Sequence, residues 1–199
     1  HETVEALARS SSVPVINGLS DGEHPCQALG DLLTIEEKRQ GVEGKTIAFI
    51  GDGNNVAASL AHAGAMLGVS VHIASPEGFG LSDRVLDQAN QVAREGARIT
   101  RFQDPTQAVA GAHAVYTDVW TSMGQEGEAA RRRRIFADYQ INDRLMAAAA
   151  RGALFMHCLP AHRGEEVTAD VLESSVSVVF DQAENRLHTQ KALLLMLLG

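Results

Sequence analysis

The sequence predicts an α/β fold, in which a doubly wound parallel sheet of about five strands has helices on both faces. From residue 44 onward, short apolar runs alternate with segments of helical periodicity, a pattern typical of strands joined by right-handed crossovers. The apolar run at 153–156, bounded by Gly152 and Pro160, is typical of a buried strand in a sheet that helices cover on both faces. Three of the strand-like runs end in polar turns, which places candidate functional groups at the strand ends.

Two helices and a short strand are predicted ahead of the sheet. Residues 2–11 have helical spacing, and residues 13–17 are predicted as the strand. Pro25 suits the first turn of the second helix, which ends with a basic turn followed by Gly41. The sequence starts with His1 inside or just before a helix, as a fragment of a longer chain would.

The remaining elements follow the same alternation. The predicted strands cover residues 46–50, 69–73, 98–102, 114–117 and 153–156, with 178–180 as a short additional strand. The predicted helices between them cover residues 56–67, 82–95, 105–109 and 142–150. A last helix over residues 183–199 is apolar nearly all round in its final two turns, so it needs burial on every side. It is too short to span a bilayer, and we expect it to pack on protein outside this chain.

Three strands end in polar turns, at residues 52–55, 118–123 and 157–158. The carboxyl ends of parallel strands lie at one edge of a sheet. In the common strand order 3-2-1-4-5, the first and fourth strands are neighbours at the switch point, and the fifth lies beside the fourth. The three turns are therefore predicted to line a single crevice.

Cys158 stands where the last of these strands ends. A lone Cys is most often a small buried hydrophobe. However, His157, His162 and Arg163 surround it in sequence with donors and positive charge, an environment that favours a thiolate and contacts with anions. A zinc site is not expected, because no second Cys or His stands at a spacing that completes a tetrahedral set.

The glycine-rich turn was compared with the dinucleotide-binding fingerprint. Gly51 and Gly53 follow a strand and open a helix, as that fingerprint requires. The third glycine position holds Val56, and the next strand ends in residues 74–76 without the acidic residue that contacts ribose. The pattern disfavours a nicotinamide enzyme. The amides at 54–55 suit a carboxylate or an amino-acid backbone instead.

Other candidate site residues have a structural explanation as well as a functional one. His24 and Gln27 lie on the same face of a first helical turn. They are either a ligand site or a helix cap followed by an ordinary surface Gln. Asp118 is a site carboxylate or a loop-forming residue. The glycine-flanked loop over residues 122–126 suits closure over a ligand. The run of four arginines at 131–134 is predicted to be a solvated surface segment.

Composition limits the partners. The net charge of −8 is mild and spread out, which disfavours nucleic acid, and no apolar run reaches membrane-spanning length. Cys26 and Cys158 lie far apart, which indicates a reducing compartment such as the cytoplasm rather than a disulfide scaffold.

Five segments together resemble the ornithine carbamoyltransferases of the aspartate/ornithine carbamoyltransferase family. They are His24-Pro25-Cys26-Gln27, Gly51-Asp52-Gly53-Asn54-Asn55, Asp118 to Glu126, His157-Cys158-Leu159-Pro160 and Ala183-Glu184-Asn185-Arg186. The resemblance implies transfer of a carbamoyl group from carbamoyl phosphate to L-ornithine, giving L-citrulline and phosphate. It also implies a homotrimer of the full-length enzyme, with no metal and no organic cofactor.

The resemblance also implies roles for individual residues. It assigns the ornithine contacts to Asn55, Asp118, Ser122 and Met123. It assigns the carbamoyl phosphate contacts to His24, Gln27, Cys158, Leu159 and Arg186. Asp118 and Cys158 would orient the neutral amine and help manage its proton, so they are the predicted catalytic pair. Donors at His24 and Arg186 would stabilise the oxyanion on the carbamoyl carbon, and Cys158 would not be a covalent nucleophile.

The family's phosphate-binding segment, Ser-Thr-Arg-Thr-Arg, is not present in these residues. We therefore expect residues 1–40 to be a partial linker with a crossing helix, residues 41–182 to be the ornithine-binding domain, and residues 183–199 to pack on the carbamoyl phosphate domain. The isolated chain is expected to be inactive. Two alternatives stay open: a transcarbamoylase for another amine, such as putrescine or an acylated ornithine, and an inactive ornithine-binding module.

Overall fold

The computed structural model describes residues 1–122, 124 and 126–199, without the side chain of Glu126. Its strands are β1 Thr46–Ile50, β2 Ser70–Ala74, β3 Ile99–Phe102, β4 Ala114–Thr117 and β5 Leu154–His157. Its α-helices are α1 Glu2–Ser10, α2 Pro25–Arg39, α3 Asn55–Met66, α4 Asp83–Gln91, α5 Pro105–Val109, α6 Ala129–Phe136, α7 Asp143–Met146, α8 Ala169–Leu172 and α9 Val179–Leu198. Each of the five main predicted strands is present within one residue of its expected bounds.

The strands form one parallel sheet in the order β3-β2-β1-β4-β5, which confirms the predicted doubly wound arrangement. The register aligns Ile50 with Thr117, and Thr117 with His157. The ends of β1, β4 and β5 are therefore level, so the turns that follow them begin side by side. This places the candidate site at the switch point of the sheet.

Alternate strand residues supply the core on the two faces of the sheet. Phe49 and Tyr116 stack on one face, with ring centroids 5.4 Å apart, and pack with the apolar residues of α2, α3 and α4. Ile50, Val115 and Phe155 belong to the opposite face, which α5, α7 and α8 cover. The predicted coverage of both faces is confirmed, and it explains why β4 and β5 are buried along their whole length.

Two predicted strands are wrong. Residues 13–17 form no strand in the described structure. Val13 is 67% exposed, and Pro14 has no N–H with which to pair. Val179 and Phe180 begin α9 instead of extending the sheet, while Phe155 makes a single bridge to Ser177 just ahead of this helix. Apolar runs this short do not distinguish a strand from the first turn of a helix.

Two predicted helices are shorter than expected. The helix predicted over 82–95 ends at Gln91, and the chain then reverses through Glu95 and Gly96, which both have positive φ. The helix predicted over 142–150 is limited to α7, and Ala150 N–H donates to the carbonyl of Ala112 at 3.0 Å as the chain enters β5. In both places the connection back to the sheet takes residues that the periodicity had assigned to the helix.

The last helix, α9, buries one face of its first half and has an exposed apolar end. Asn185 is buried and donates to Thr34 in α2 at 3.0 Å, whereas Leu195, Met196 and Leu198 are largely exposed. None of the described helices has both the length and the apolar character required to cross a membrane.

Candidate active site

Three polar side chains from separate strand ends meet at Asp118. Asn54 Nδ2 donates to Asp118 Oδ2 at 2.7 Å, and the thiol of Cys158 donates to Asp118 Oδ1 at 3.0 Å. The N–H of Val119 also donates to Oδ1, at 2.7 Å, which fixes the orientation of the carboxylate. The turns after β1, β4 and β5 thus meet at one edge of the sheet, as the strand order predicts.

Asn54 owes its orientation to the start of α3. Its Oδ1 accepts from the backbone N–H groups of Val56 and Ala57 at 3.1 and 3.2 Å, as an N-cap does. Because the oxygen is turned toward the helix, the amide NH2 faces Asp118. The Gly51-x-Gly53 turn therefore presents a neutral donor at this edge of the sheet.

The glycine at position 53 is required by close approach of the chain. A Cβ placed there would lie 2.3 Å from the backbone nitrogen of Leu81, and the N–H of Gly53 already donates to the carbonyl of Phe79 at 2.7 Å. The segment around Leu81 thus packs directly on the turn, so the second glycine of the fingerprint serves packing here.

Cys158 is held as a thiol. Burial raises the pKa of Cys158 well above its usual range, and the neighbouring Asp118 carboxylate raises it further. The expectation that positive charge would favour a thiolate is therefore wrong. The Arg163 guanidinium is paired with Glu173, and the nearest charge to the sulfur is the negative one of Asp118.

His157 supports the turn that carries Cys158. Its Nδ1 accepts the N–H of Leu159 at 2.8 Å, so the proton is on Nε2, which lies 3.2 Å from Glu166 Oε1. Leu159 has a φ of 60°. The buried imidazole thus stabilises a left-handed turn that brings the sulfur to Asp118.

Asp118, His157 and Cys158 also lie close enough together to be considered as metal ligands. Both ring nitrogens of His157 are already engaged within the protein. Metal binding needs a free imidazole nitrogen. These three residues therefore do not offer a suitable ligand set.

A second group of predicted residues lies where α2 crosses α9. Arg186 Nη1 donates to Gln27 Oε1 at 2.6 Å. A Cβ at Gly30 would lie 3.3 Å from both Arg186 Cδ and its backbone nitrogen, so glycine permits the two helices to approach closely. Burial lowers the pKa of His24, and the positive Arg186 lowers it further although Asp118 opposes the shift. His24 is thus a neutral imidazole at pH 7, within electrostatic reach of both Arg186 and Asp118.

The other residues predicted to contact ornithine are Asn55, Ser122 and Met123. Asn55 donates its amide to the carbonyl of Ser20 at 2.7 Å, whereas its neighbour Asn54 makes the contact with Asp118. Ser122 is half-buried in the loop after β4. Met123 lies outside the described residues.

Arg132 is a residue whose role the sequence prediction missed. It is 4% exposed, although the arginine run was predicted to be solvated. Its guanidinium pairs with Asp52, its Nε donates to the carbonyl of Trp120, and its Cζ lies 5.0 Å from the centre of the Phe79 ring. It therefore ties the loop after β1 to the loop after β4. The sequence did contain a sign that Arg132 is buried, because Phe136 lies four residues later on the same face of the helix.

Comparison with known proteins agrees with this arrangement. Residues 43–197 match the family model described as "Aspartate/ornithine carbamoyltransferase, Asp/Orn binding domain". Residues 1–37 match the one described as "Aspartate/ornithine carbamoyltransferase, carbamoyl-P binding domain". The two matches together cover nearly the whole chain.

Curated relatives share more than half of the sequence. An ornithine carbamoyltransferase of Acidothermus cellulolyticus is 55% identical over 199 residues, which are 100% of this chain and 64% of that protein. One of Thermococcus kodakarensis is 56% identical over 200 residues, again 100% of this chain and 64% of the relative. The chain thus spans less than two thirds of the length of these relatives.

Solved structures show the same fold. The ornithine carbamoyltransferase of Pyrococcus furiosus superposes with a TM-score of 0.93 at 55% identity, over 98% of this chain and 62% of that one. The enzyme of Thermus thermophilus superposes with a TM-score of 0.89 at 47% identity, over 100% of this chain and 64% of that one. On the strength of these matches, the chain belongs to the aspartate/ornithine carbamoyltransferase family.

Proposed function

We propose that the protein containing this chain transfers the carbamoyl group of carbamoyl phosphate to L-ornithine, giving L-citrulline and phosphate. The chain supplies the ornithine-binding part. The observation that carries the proposal is the meeting of Asn54 and Cys158 on the carboxylate of Asp118, beside the group formed by His24 and Arg186. The names of the relatives support the choice of substrates.

The chemistry needs an anion that holds an amine and donors that hold a carbonyl oxygen. Asp118 supplies the anion, and its contacts with Asn54 and the Cys158 thiol fix its position before substrate arrives. In the reaction the lone pair of the amine forms the C–N bond, the C–O bond to phosphate breaks, and phosphate leaves with that electron pair. The proton released by the amine passes to phosphate or to solvent.

The carbamoyl side of the site is assigned to His24, Gln27 and Arg186, with Cys158 and Leu159 bordering the reacting carbon. Arg186 is a permanent cation and stabilises negative charge on the carbamoyl oxygen in the transition state. His24 is neutral at pH 7, so it donates a hydrogen bond to that oxygen without adding a charge that would repel the ammonium form of the incoming substrate.

The ornithine side is assigned to Asn55, Asp118, Ser122 and Met123. Asn55 lies beside the amide that contacts Asp118, and Ser122 follows Asp118 in the same loop. The Arg132 contacts with Asp52 and with the carbonyl of Trp120 hold that loop against the turn after β1. Both substrates thus meet over the ends of β1, β4 and β5.

The domain organisation is part of the proposal. Residues 41–182 form the ornithine-binding domain, residues 1–40 link it to a carbamoyl phosphate domain, and residues 183–199 pack on that domain. The exposed leucines at the end of α9 support the last assignment, because an apolar helix end of this kind needs a partner surface. By itself the chain lacks the family's Ser-Thr-Arg-Thr-Arg segment and is proposed to be inactive.

The metabolic role, oligomeric state and compartment of the enzyme are also part of the proposal. A relative from Pyrococcus furiosus is named "Ornithine carbamoyltransferase, anabolic", which supports a role in arginine biosynthesis. We propose a homotrimer in the cytoplasm that needs no metal or organic cofactor.

The test is to incubate the gene product in which this chain occurs with carbamoyl phosphate and one of three amines: L-ornithine, putrescine or N-acetylornithine. Citrulline and phosphate in equal amounts, with L-ornithine preferred, are expected. Preference for another amine would replace the substrate assignment. Binding of L-ornithine without turnover would indicate a non-catalytic module.

A further inference from the structure

Asp31 is a buried carboxylate that none of the roles above uses. It lies on α2, one helical turn after Gln27, and it is fully buried. Its Oδ1 accepts the amide NH2 of Gln27 at 2.8 Å and that of Gln182, from α9, at 2.7 Å. A buried carboxylate is costly, so its retention beneath the site calls for a specific role.

The two contacts decide which way each glutamine amide faces. A carboxylate oxygen accepts hydrogen bonds, so Gln27 must turn its NH2 toward Asp31 and its oxygen away. That oxygen lies 2.6 Å from Arg186 Nη1, on the side assigned to the carbamoyl group. Gln182 is fixed in the same way, and its oxygen accepts the N–H of His157 at 3.0 Å.

We propose that Asp31 is a positioning residue that holds the Gln27 amide with its oxygen toward the carbamoyl amino group. This inference rests on the proposed function. A carbamoyl group differs from an acetyl group by presenting NH2 where acetyl presents CH3. An acceptor fixed at that point recognises the NH2 and leaves a buried polar group unpaired when CH3 takes its place.

The surroundings of Asp31 fit this role. Burial raises the pKa of Asp31 to about 7, against the hydrogen bonds from Gln27, Gln182 and Tyr116 and the charge of Arg186. Tyr116 on β4 and the Cys158 thiol beyond β5 are the other titratable groups that face it. Protonation of Oδ2 would leave Oδ1 as an acceptor for both amides. The orientation of Gln27 therefore needs the acceptor and does not need the negative charge.

The test compares the affinities of the gene product for carbamoyl phosphate and acetyl phosphate, in the wild type and in three Asp31 variants. Asp31→Leu and Asp31→Ala remove the acceptor, whereas Asp31→Asn keeps an oxygen and removes the charge. For Asp31→Leu and Asp31→Ala we expect carbamoyl phosphate to bind roughly 10-fold or more weakly, with acetyl phosphate changed far less. For Asp31→Asn we expect the preference for carbamoyl phosphate to persist.

Equal weakening of both ligands in Asp31→Ala would show a purely structural role and overturn the proposal, as would loss of the preference in Asp31→Asn. A second readout is a double-mutant cycle, in which Asp31→Ala added to Gln27→Ala should not lower the preference further. Additive losses would contradict action through Gln27. Asp181→Asn, at an exposed carboxylate on α9 that pairs with Lys38, is the matched control.

Failure of this inference is distinguishable from failure of the proposed function. If the wild-type gene product forms no citrulline, the proposed function fails, and the role of Asp31 in recognising a carbamoyl group fails with it. If the wild type forms citrulline and discriminates between the two phosphates, but Asp31→Ala keeps that discrimination, only the role of Asp31 is wrong.

Discussion

The thiol of Cys158 donates a hydrogen bond to Asp118 Oδ1 at 3.0 Å, and this contact joins the turn after β5 to the loop after β4. Burial and the carboxylate both act to keep the sulfur protonated. Under the proposed function, the pair orients the amine of L-ornithine through a neutral donor and an anion. A thiolate beside Asp118 would place two negative charges within about 3 Å of each other.

The first prediction concerns the reactivity of Cys158. Because its pKa is raised, it should react with iodoacetamide at pH 8 more slowly than a free cysteine. Asp118→Asn removes the neighbouring negative charge and should speed the reaction. Mass spectrometry of the peptide containing Cys158 measures the rate. Fast labelling of the wild type, unchanged in Asp118→Asn, would contradict the thiol assignment.

Arg132→Met should destabilise the protein. The change removes the partner of Asp52, whose pKa burial already raises, and leaves this carboxylate without compensation. A loss of about 3 kcal/mol is expected from urea unfolding followed by circular dichroism. Arg134→Met, at an exposed position of the same helix, is the control and should change stability by less than about 0.5 kcal/mol. Similar effects of the two substitutions would show that the buried pair does not hold the loops together.

Gly53→Ala tests the close packing of the turn after β1. The new methyl group would stand 2.3 Å from the nitrogen of Leu81, so the segment around Leu81 must move. We expect a loss of about 1–3 kcal/mol in thermal or urea unfolding. Gly18 has no atom within 4 Å of its added Cβ and no positive φ, so Gly18→Ala should be nearly neutral. A tolerated Gly53→Ala would exclude this packing.

Asp31 should make stability depend on pH. Burial raises its pKa from 3.8 to about 7 in the folded protein. Between these values the native state binds a proton that the unfolded chain has released, so this residue's contribution to stability falls as pH rises. Asp31→Asn removes that slope. Relative to the wild type, the free energy of unfolding of the variant, measured with urea, should increase between pH 5 and pH 8 by an amount on the order of 1 kcal/mol. A stability difference that does not vary with pH would contradict the raised pKa.

The sheet was predictable because its signals are local. Short runs rich in apolar and β-branched residues, together with their spacing, located all five strands, and the strand order followed from the general rule for doubly wound sheets. The same local signal misassigned residues 13–17, because β-branched residues beside a proline resemble an edge strand even when no partner strand is available.

The meeting of the strand ends was predictable, but the charge states within it were not. Strand order alone brought Asp118 and Cys158 together. The protonation of Cys158 depends on which charge lies nearest in space, and sequence neighbours such as Arg163 point elsewhere. The burial of Arg132 depends in the same way on a partner, Asp52, that lies 80 residues away in the chain.

The central claim is that Asp118 organises the ornithine site, and steady-state citrulline formation by the gene product tests it most directly. Asp118→Asn should lower kcat/KM for L-ornithine by at least roughly 30-fold, because a buried carboxylate that holds a cationic or polar partner is lost. Asp83→Asn, at an exposed carboxylate paired with Arg101, should leave kcat/KM within about threefold of the wild type. Equal kcat/KM for L-ornithine in Asp118→Asn and the wild type would contradict the claim.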